Sequence, residues 1–162
     1  MLKIVNTNDL PEEDWTSPNG RYAASGKDVS IALGREGKST DLLKRHPFDL
    51  EISRIPPGKT NTPFHAHSAQ WEFYHVLSGT GQVRHADGLS PIRAGDAMVF
   101  KPGEAHQFIN DSEADLVLYV IADNPISESV YYPDEERWLV LSPTMARVRF
   151  ESNSIFDPGP AA

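Results

Sequence analysis

The chain has 162 residues, 39% of them apolar and 23% charged, which is the size and balance of one globular domain with a buried core. Its 13 prolines and 11 glycines interrupt long helical windows, so many short strands are expected rather than a helical bundle. Fifteen basic against 23 acidic residues leave a formal charge of −8, which repels phosphate backbones, and the absence of cysteine removes disulfides, thiolate metal sites and a cysteine nucleophile.

Any metal must then sit on His, Asp or Glu. No window reaches the roughly 18 apolar residues of a membrane span, and the first residues lack a leader pattern. A soluble, cytoplasmic protein without nucleic-acid or membrane partners is the expectation.

Residues 1–47 read as an arm. They hold an acidic stretch, Glu12, Glu13 and Asp14, a turn-rich run from Ser17 to Gly20, and a predicted short strand at 29–33. From Phe48 to Ala122 the apolar runs are short and β-rich: 48–55, 71–77, 81–85, 97–100, 106–109 and 116–122. Turn signals such as Pro56-Pro57-Gly58, Ser78-Gly79, Lys101-Pro102-Gly103 and Asn110-Asp111 separate them every 8–12 residues or so, the pattern of an all-β sandwich or barrel. The run 116–121 is apolar on both faces of a period-2 strand, so its outer side needs a cover. Residues 123–162 form an extension with predicted strands at 139–141 and 147–150.

The chemistry concentrates between Gly58 and Asn110. His65 and His67 are two apart, and on a strand such residues share a face about 6.6 Å apart, close enough for both imidazoles to reach one cation. Glu72 follows on the strand after a short turn, on the same face as Tyr74 and Val76 and opposite Phe73, His75 and Leu77. His106 supplies a third imidazole from a later strand. In the implied cavity Tyr74, Val76, Met98 and Phe100 alternate onto the ligand side, which predicts a mainly apolar lining.

Gly58-x6-His65-x-His67-x4-Glu72-x6-Gly79 and Gly95-x5-Lys101-Pro102-Gly103-x2-His106-x3-Asn110 resemble the two motifs of the cupin superfamily, with a 15-residue spacer between them. Two departures occur: six residues rather than five separate Gly58 from His65, and Lys101 stands where proline is usual. Neither touches a ligand position. The segment Tyr131 to Asp134 with Trp138 is similar to small bacterial cupins without an assigned reaction.

The resemblance implies an all-β, double-stranded β-helix (jelly-roll) barrel at 48–122, with the arm (1–47) and the extension (123–162) packed outside it. It also implies one divalent transition metal, Fe, Mn, Ni, Zn, Co or Cu, on His65, His67, Glu72 and His106. The alternative, that these four are core polar groups bonded to one another, buries ionisable groups without a counter-charge and is costly. Glu72 and Tyr74 are the candidate catalytic residues. The implied function is a metal-dependent, oxygenase-like enzyme acting on a small organic acid or aromatic compound. Two rivals stand beside it: a sugar or sugar-phosphate isomerase, which needs a cationic clamp from Arg54, Lys59, Arg93 or Lys101, and a non-catalytic small-molecule binding or sensory protein. The exposed aromatics and the doubly apolar strand predict a homodimer. Gly79, Gly95, Gly103 and Asn110 read as turn formers, His75 and His85 as facing away from the site, Gln107 as outward, and Arg54 as part of a surface ion pair.

Overall fold

The computed structural model describes residues 2–141 and 147–149. In the arm, β1 (Glu13–Thr16) and β2 (Ala23–Asp28) form an antiparallel hairpin. One turn of helix, α1 (Val29–Ala32), then stands where a strand is predicted at 29–33. Asp28 overrides the β-branched run: its carboxylate accepts a hydrogen bond from the Ile31 amide at 2.8 Å, capping the first turn. A second short turn, α2 (Leu42–Arg45), is capped in the same way by Asp41.

The body contains β3 (Phe48–Ile55), β4 (Ala66–His67), β5 (Glu72–Ser78), β6 (Thr80–His85), β7 (Gly88–Arg93), β8 (Ala97–Phe100), β9 (Gln107–Ile109) and β10 (Leu116–Asp123). The extension adds β11 (Glu128–Tyr132), β12 (Arg137–Leu141) and β13 (Arg147–Arg149). The six apolar runs of the body coincide with β3, β5, β6, β8, β9 and β10 to within a residue. Residue 150, the end of the last predicted strand, lies outside the described residues.

Among the described residues the named strands all pair antiparallel, with one isolated parallel bridge between Tyr22 and Thr60. One sheet has the order β1-β2-β3-β10-β5-β8, a second β7-β6-β9, and a third β13-β12-β11-β4. The first two face each other across a core of Ile55, Tyr74, Val76, Val83, Ile92, Phe108, Leu116 and Leu118, which closes the double-stranded β-helix barrel. Strand β10 lies at the centre of the large sheet, between β3 and β5; Leu116, Leu118 and Ala122 are buried on one face, and on the other Val117 is buried while Tyr119 and Ile121 are half-buried. No helix among the described residues is long and apolar enough to cross a membrane.

Two features set the register. Gly79 turns β5 into β6 at φ 84°, and a Cβ there would lie 2.2 Å from the Asp115 carbonyl oxygen, so only glycine lets the turn lie against the entry to β10. Asn110 is fully buried; its Nδ2 donates to the carbonyls of Ile55 and Ala114, both at 2.7 Å, and its Oδ1 accepts from Ser112. It joins the ends of β3, β9 and β10. Substituting Asn110→Ala leaves these acceptors without their donor and is expected to cost about 3 kcal/mol of unfolding free energy, measured by urea denaturation.

Candidate metal centre

The site is assembled by strand alternation and one backbone bridge. Along β5, Glu72, Tyr74 and Val76 are buried while Phe73 and Leu77 are exposed, so Glu72 enters the interior from its parity alone. His67 ends β4. His65 and His106 lie just outside the strands, and each donates its amide to the other's carbonyl, at 3.2 and 2.8 Å.

That bridge brings the His65 and His106 rings to 4.7 Å between centroids. The His67 ring is 5.0 Å from that of His65 and 6.5 Å from that of His106. Glu72 Oε2 lies 2.9 Å from His106 Nε2 and 3.5 Å from His67 Nε2. One ligand atom from each of His65, Glu72 and His106 falls within 4.8 Å of the others, so these three could hold a metal ion. Tyr74 Oη is 3.3 Å from His106 Nε2.

Two of the rings have their outer nitrogen occupied by the backbone. His65 Nδ1 donates to the Pro63 carbonyl at 2.9 Å, and His106 Nδ1 lies 3.4 Å from the Glu104 carbonyl. Both then turn Nε2 into the site, the arrangement that orients imidazoles on metals.

The electrostatics favour a cation. Burial, then the charge of His106, pushes His65 down to about 4, so it is a neutral ring with a lone pair at neutral pH. Burial opposes ionisation of Glu72, but the nearness of His106, with Nε2 2.9 Å from Oε2, and of His67 outweighs it and holds the carboxyl below the ordinary range. A buried carboxylate grouped with His65 and His106 is a place for positive charge, and this donor set suits a divalent transition metal; His67, 3.5 Å from Glu72, lies outside that group of three. Tyr74 is pushed well above its ordinary value by burial and by Glu72, so it keeps its proton.

A cavity of about 310 Å³ opens on the group, lined by Trp15, Ala24, Glu51, Ser53, Asn61, Thr62, His65, Glu72, Tyr74 and Val120. The predicted apolar lining is corrected here. Val76 is fully buried in the core, with Met98 and Phe100 packed against it, whereas β3 and the loop after it supply polar walls. Glu51 is exposed at the mouth of this cavity, on the cavity side of β3, because it is in register with Val120, which is in turn opposite Tyr74. Burial, then Asp49, Asp28 and Glu72, raises Glu51 to about 7. Its accessible surface faces this cavity and a second recess of about 550 Å³ beneath the arm, which shares Trp15 and Glu51 with the first.

Other expectations divide. Arg54 is in a surface ion pair with Glu12 and Asp115, at 2.7 and 3.1 Å, and His85 bonds Ser90 away from the site. Gln107 is not outward: it is buried and donates to the Thr62 carbonyl at 2.7 Å, steadying the loop before His65. Of the cation candidates, Lys59 bonds the Gly20 carbonyl, Lys101 pairs with Glu104 and Arg93 lines a different recess, and no lysine or arginine is among the described residues lining the cavity. Glu51 and Trp15 were not foreseen; the parity of β3 carries the signal for Glu51, but no local pattern marks Trp15.

Residues 51–122 match a family model described as a cupin domain. Among curated proteins, the chain is 38% identical over 64 residues to the oxalate-binding protein of Thermotoga maritima, a match covering 39% of this chain and 51% of that protein. It thus spans about half the length of that relative. It is 29% identical over 160 residues to auxin-binding protein 1 of Arabidopsis thaliana, covering 92% of this chain and 71% of the relative. Among solved structures, a sugar phosphate isomerase from Silicibacter pomeroyi superposes with a TM-score of 0.75 at 21% identity, covering 95% of this chain and 97% of that one.

Because the unfolded chain protonates His65 near pH 6.5 and the folded chain only near 4, the metal-free protein loses stability from this group as pH falls through that window and keeps it above. Glu51, raised in the fold, acts in the opposite direction, so the informative quantity is a difference between proteins. The stability gap between wild type and His65→Gln should shift by on the order of 3 kcal/mol against wild type between pH 7 and pH 4, read from denaturant midpoints.

Proposed function

The chain belongs to the cupin superfamily through the domain at 51–122, and from that premise we propose that it is a divalent-metal-dependent enzyme acting by proton transfer on a small, unphosphorylated compound with neighbouring oxygen atoms. His65, His67, Glu72 and His106 are the proposed ligands. A bound ion supplies a Lewis acid that draws charge from a substrate oxygen. The observation that carries the reading is Glu51, a carboxyl near neutrality in pKa on the wall of the cavity that opens on the ligand group.

Glu51 takes a proton from the carbon or hydroxyl beside the held oxygen and returns it to the neighbouring position, the task for which a pKa close to the working pH is best. Tyr74, protonated, donates a hydrogen bond toward Glu72 or a substrate oxygen. Trp15 and Val120 pack against the apolar part of the substrate, while Asn61, Thr62 and Ser53 offer hydrogen bonds to its hydroxyls. A volume of about 310 Å³ admits a small molecule of this kind.

The cavity's shortage of cations disfavours a phosphorylated sugar, which needs a charged clamp. An oxygenase acting on a small organic acid or aromatic compound is the reading that the resemblance alone supplies; Glu51 adds weight to proton transfer. A homodimer completes the proposal. Phe73 and Val99 pair across β5 and β8 on the outer face, 38% and 49% exposed, with Trp71 and Leu77 nearby, and a second copy is the proposed cover. Sedimentation at micromolar concentration that returns only the 18.0 kDa monomer would refute it.

The reaction is tested with metal-loaded protein in D2O, following deuterium uptake into a panel of hydroxy-aldehydes and hydroxy-ketones by NMR. Exchange with at least one member is expected, and Glu51→Gln should slow it about 10²- to 10⁴-fold while the metal stays bound. Oxygen consumption with catechols and no exchange across the panel sinks the proton-transfer reading in favour of an oxygenase.

A further inference from the structure

His67 differs from the other two imidazoles in what lies behind it. His65 and His106 set their outer nitrogens against backbone carbonyls, but His67 Nδ1 is buried without a hydrogen-bond partner. The nearest acidic oxygen to it is Glu128 Oε1, at 3.9 Å.

Glu128 is itself an anomaly. It is buried, it sits on β11 outside the cupin domain match, and its Oε2 also lacks a partner among the described residues. The carboxylate is nonetheless held firmly. Oε1 accepts from the Ser68 amide at 2.8 Å, the Ser68 hydroxyl at 3.1 Å and the Ala69 amide at 3.4 Å. The backbone clamps the same place: β11 pairs with β4 so that Val130 stands opposite His67, and the Ser68 amide donates to the Ser129 carbonyl. One buried carboxyl group thus stands 3.9 Å from the unpartnered His67 Nδ1 through its Oε1, which Ser68 and Ala69 hold, while its other oxygen, Oε2, is left without a donor.

Resting on the metal reading above, the geometry points to Glu128 as the positioning residue for His67: it accepts the Nδ1 proton, fixes the ring with Nε2 toward the ion, and raises that nitrogen's basicity. Carboxylate, histidine and metal would then form one line, with the carboxylate supplied by the extension rather than the barrel. A backbone carbonyl can orient a ring. A carboxylate also adds negative charge behind it, so removing the charge weakens the ligand even where the shape is kept.

The test uses the whole chain stripped of metal and titrated with Co²⁺, whose visible spectrum reports coordination. Glu128→Gln, which can keep the Ser68 and Ala69 hydrogen bonds, is expected to bind Co²⁺ about 10- to 100-fold more weakly with a shifted spectrum, at an unchanged thermal midpoint of the metal-free protein. His106→Ala is the control for the site itself. Loss of Co²⁺ binding in His106→Ala with wild-type binding in Glu128→Gln overturns the role of Glu128 and leaves the metal site standing, whereas wild-type binding in His106→Ala overturns the metal site. Should Glu128→Gln fail to fold, ¹⁵N NMR of the wild-type protein loaded with Zn²⁺ decides. A proton on His67 Nδ1 supports the proposal, and a proton on Nε2 with metal on Nδ1 defeats it.

Discussion

Two backbone hydrogen bonds between His65 and His106 carry the arrangement of this molecule. They join segments far apart in the chain, and neither residue belongs to a strand that would otherwise place it. Once they form, the two rings stand 4.7 Å apart, tilted by 48°, and Glu72 reaches the pair through the alternation of β5. The surroundings support that junction: Gln107 and Asn61 brace the loop before His65, and Phe100 stacks on His106 at 4.0 Å. A strand slip by one residue would turn Glu72 outward and Phe73 inward, so the register of the large sheet and the chemistry of the site are a single constraint.

Much of the barrel was legible because its rules are local. Six strands announced themselves by short β-rich runs between Gly, Pro and Asn turns, and period two placed Glu72 and Tyr74 on the inner face of β5. What escaped depended on distance or on a misleading parity. On β3 the even residues Leu50, Ile52 and Arg54 drew attention as a face, yet the odd residues Glu51, Ser53 and Ile55 lie on the cavity side, with Ile55 in the core and the two polar ones on the cavity. The helical turn at 29–32 was hidden by Val29 and Ile31, and a single Asp28 cap decided it. Glu128 had no signal, since nothing in a short polar strand 60 residues downstream announces a contact with Ser68.

The inner surface also concentrates negative charge. Asp49, Glu51 and Glu72 share one side of the large sheet, and burial raises the first two above their ordinary values, with like charges adding to the rise in Glu51. Arg35 balances Asp49 from 3.1 Å, whereas no lysine or arginine is among the described residues lining the cavity that Glu51 and Glu72 share. Two of these carboxyls adjoin the cavity, so whatever positive charge occupies the site also relieves strain in the walls around it, and occupancy adds to the stability of the fold.

The arm contributes more than a cover. Trp15 belongs to β1, whose four residues are all exposed at the rim of the sheet, and the neighbouring Glu12 ties the strand to Ser25 and to the Arg54 ion pair at the surface. Edge strands with few buried contacts are the first to fray, and exposed ion pairs weaken as salt rises. The two recesses meet at Trp15 and Glu51, so the edge strand that carries Trp15 forms part of the wall of both, and the Glu12–Arg54 pair that fastens it to β3 weakens as salt rises.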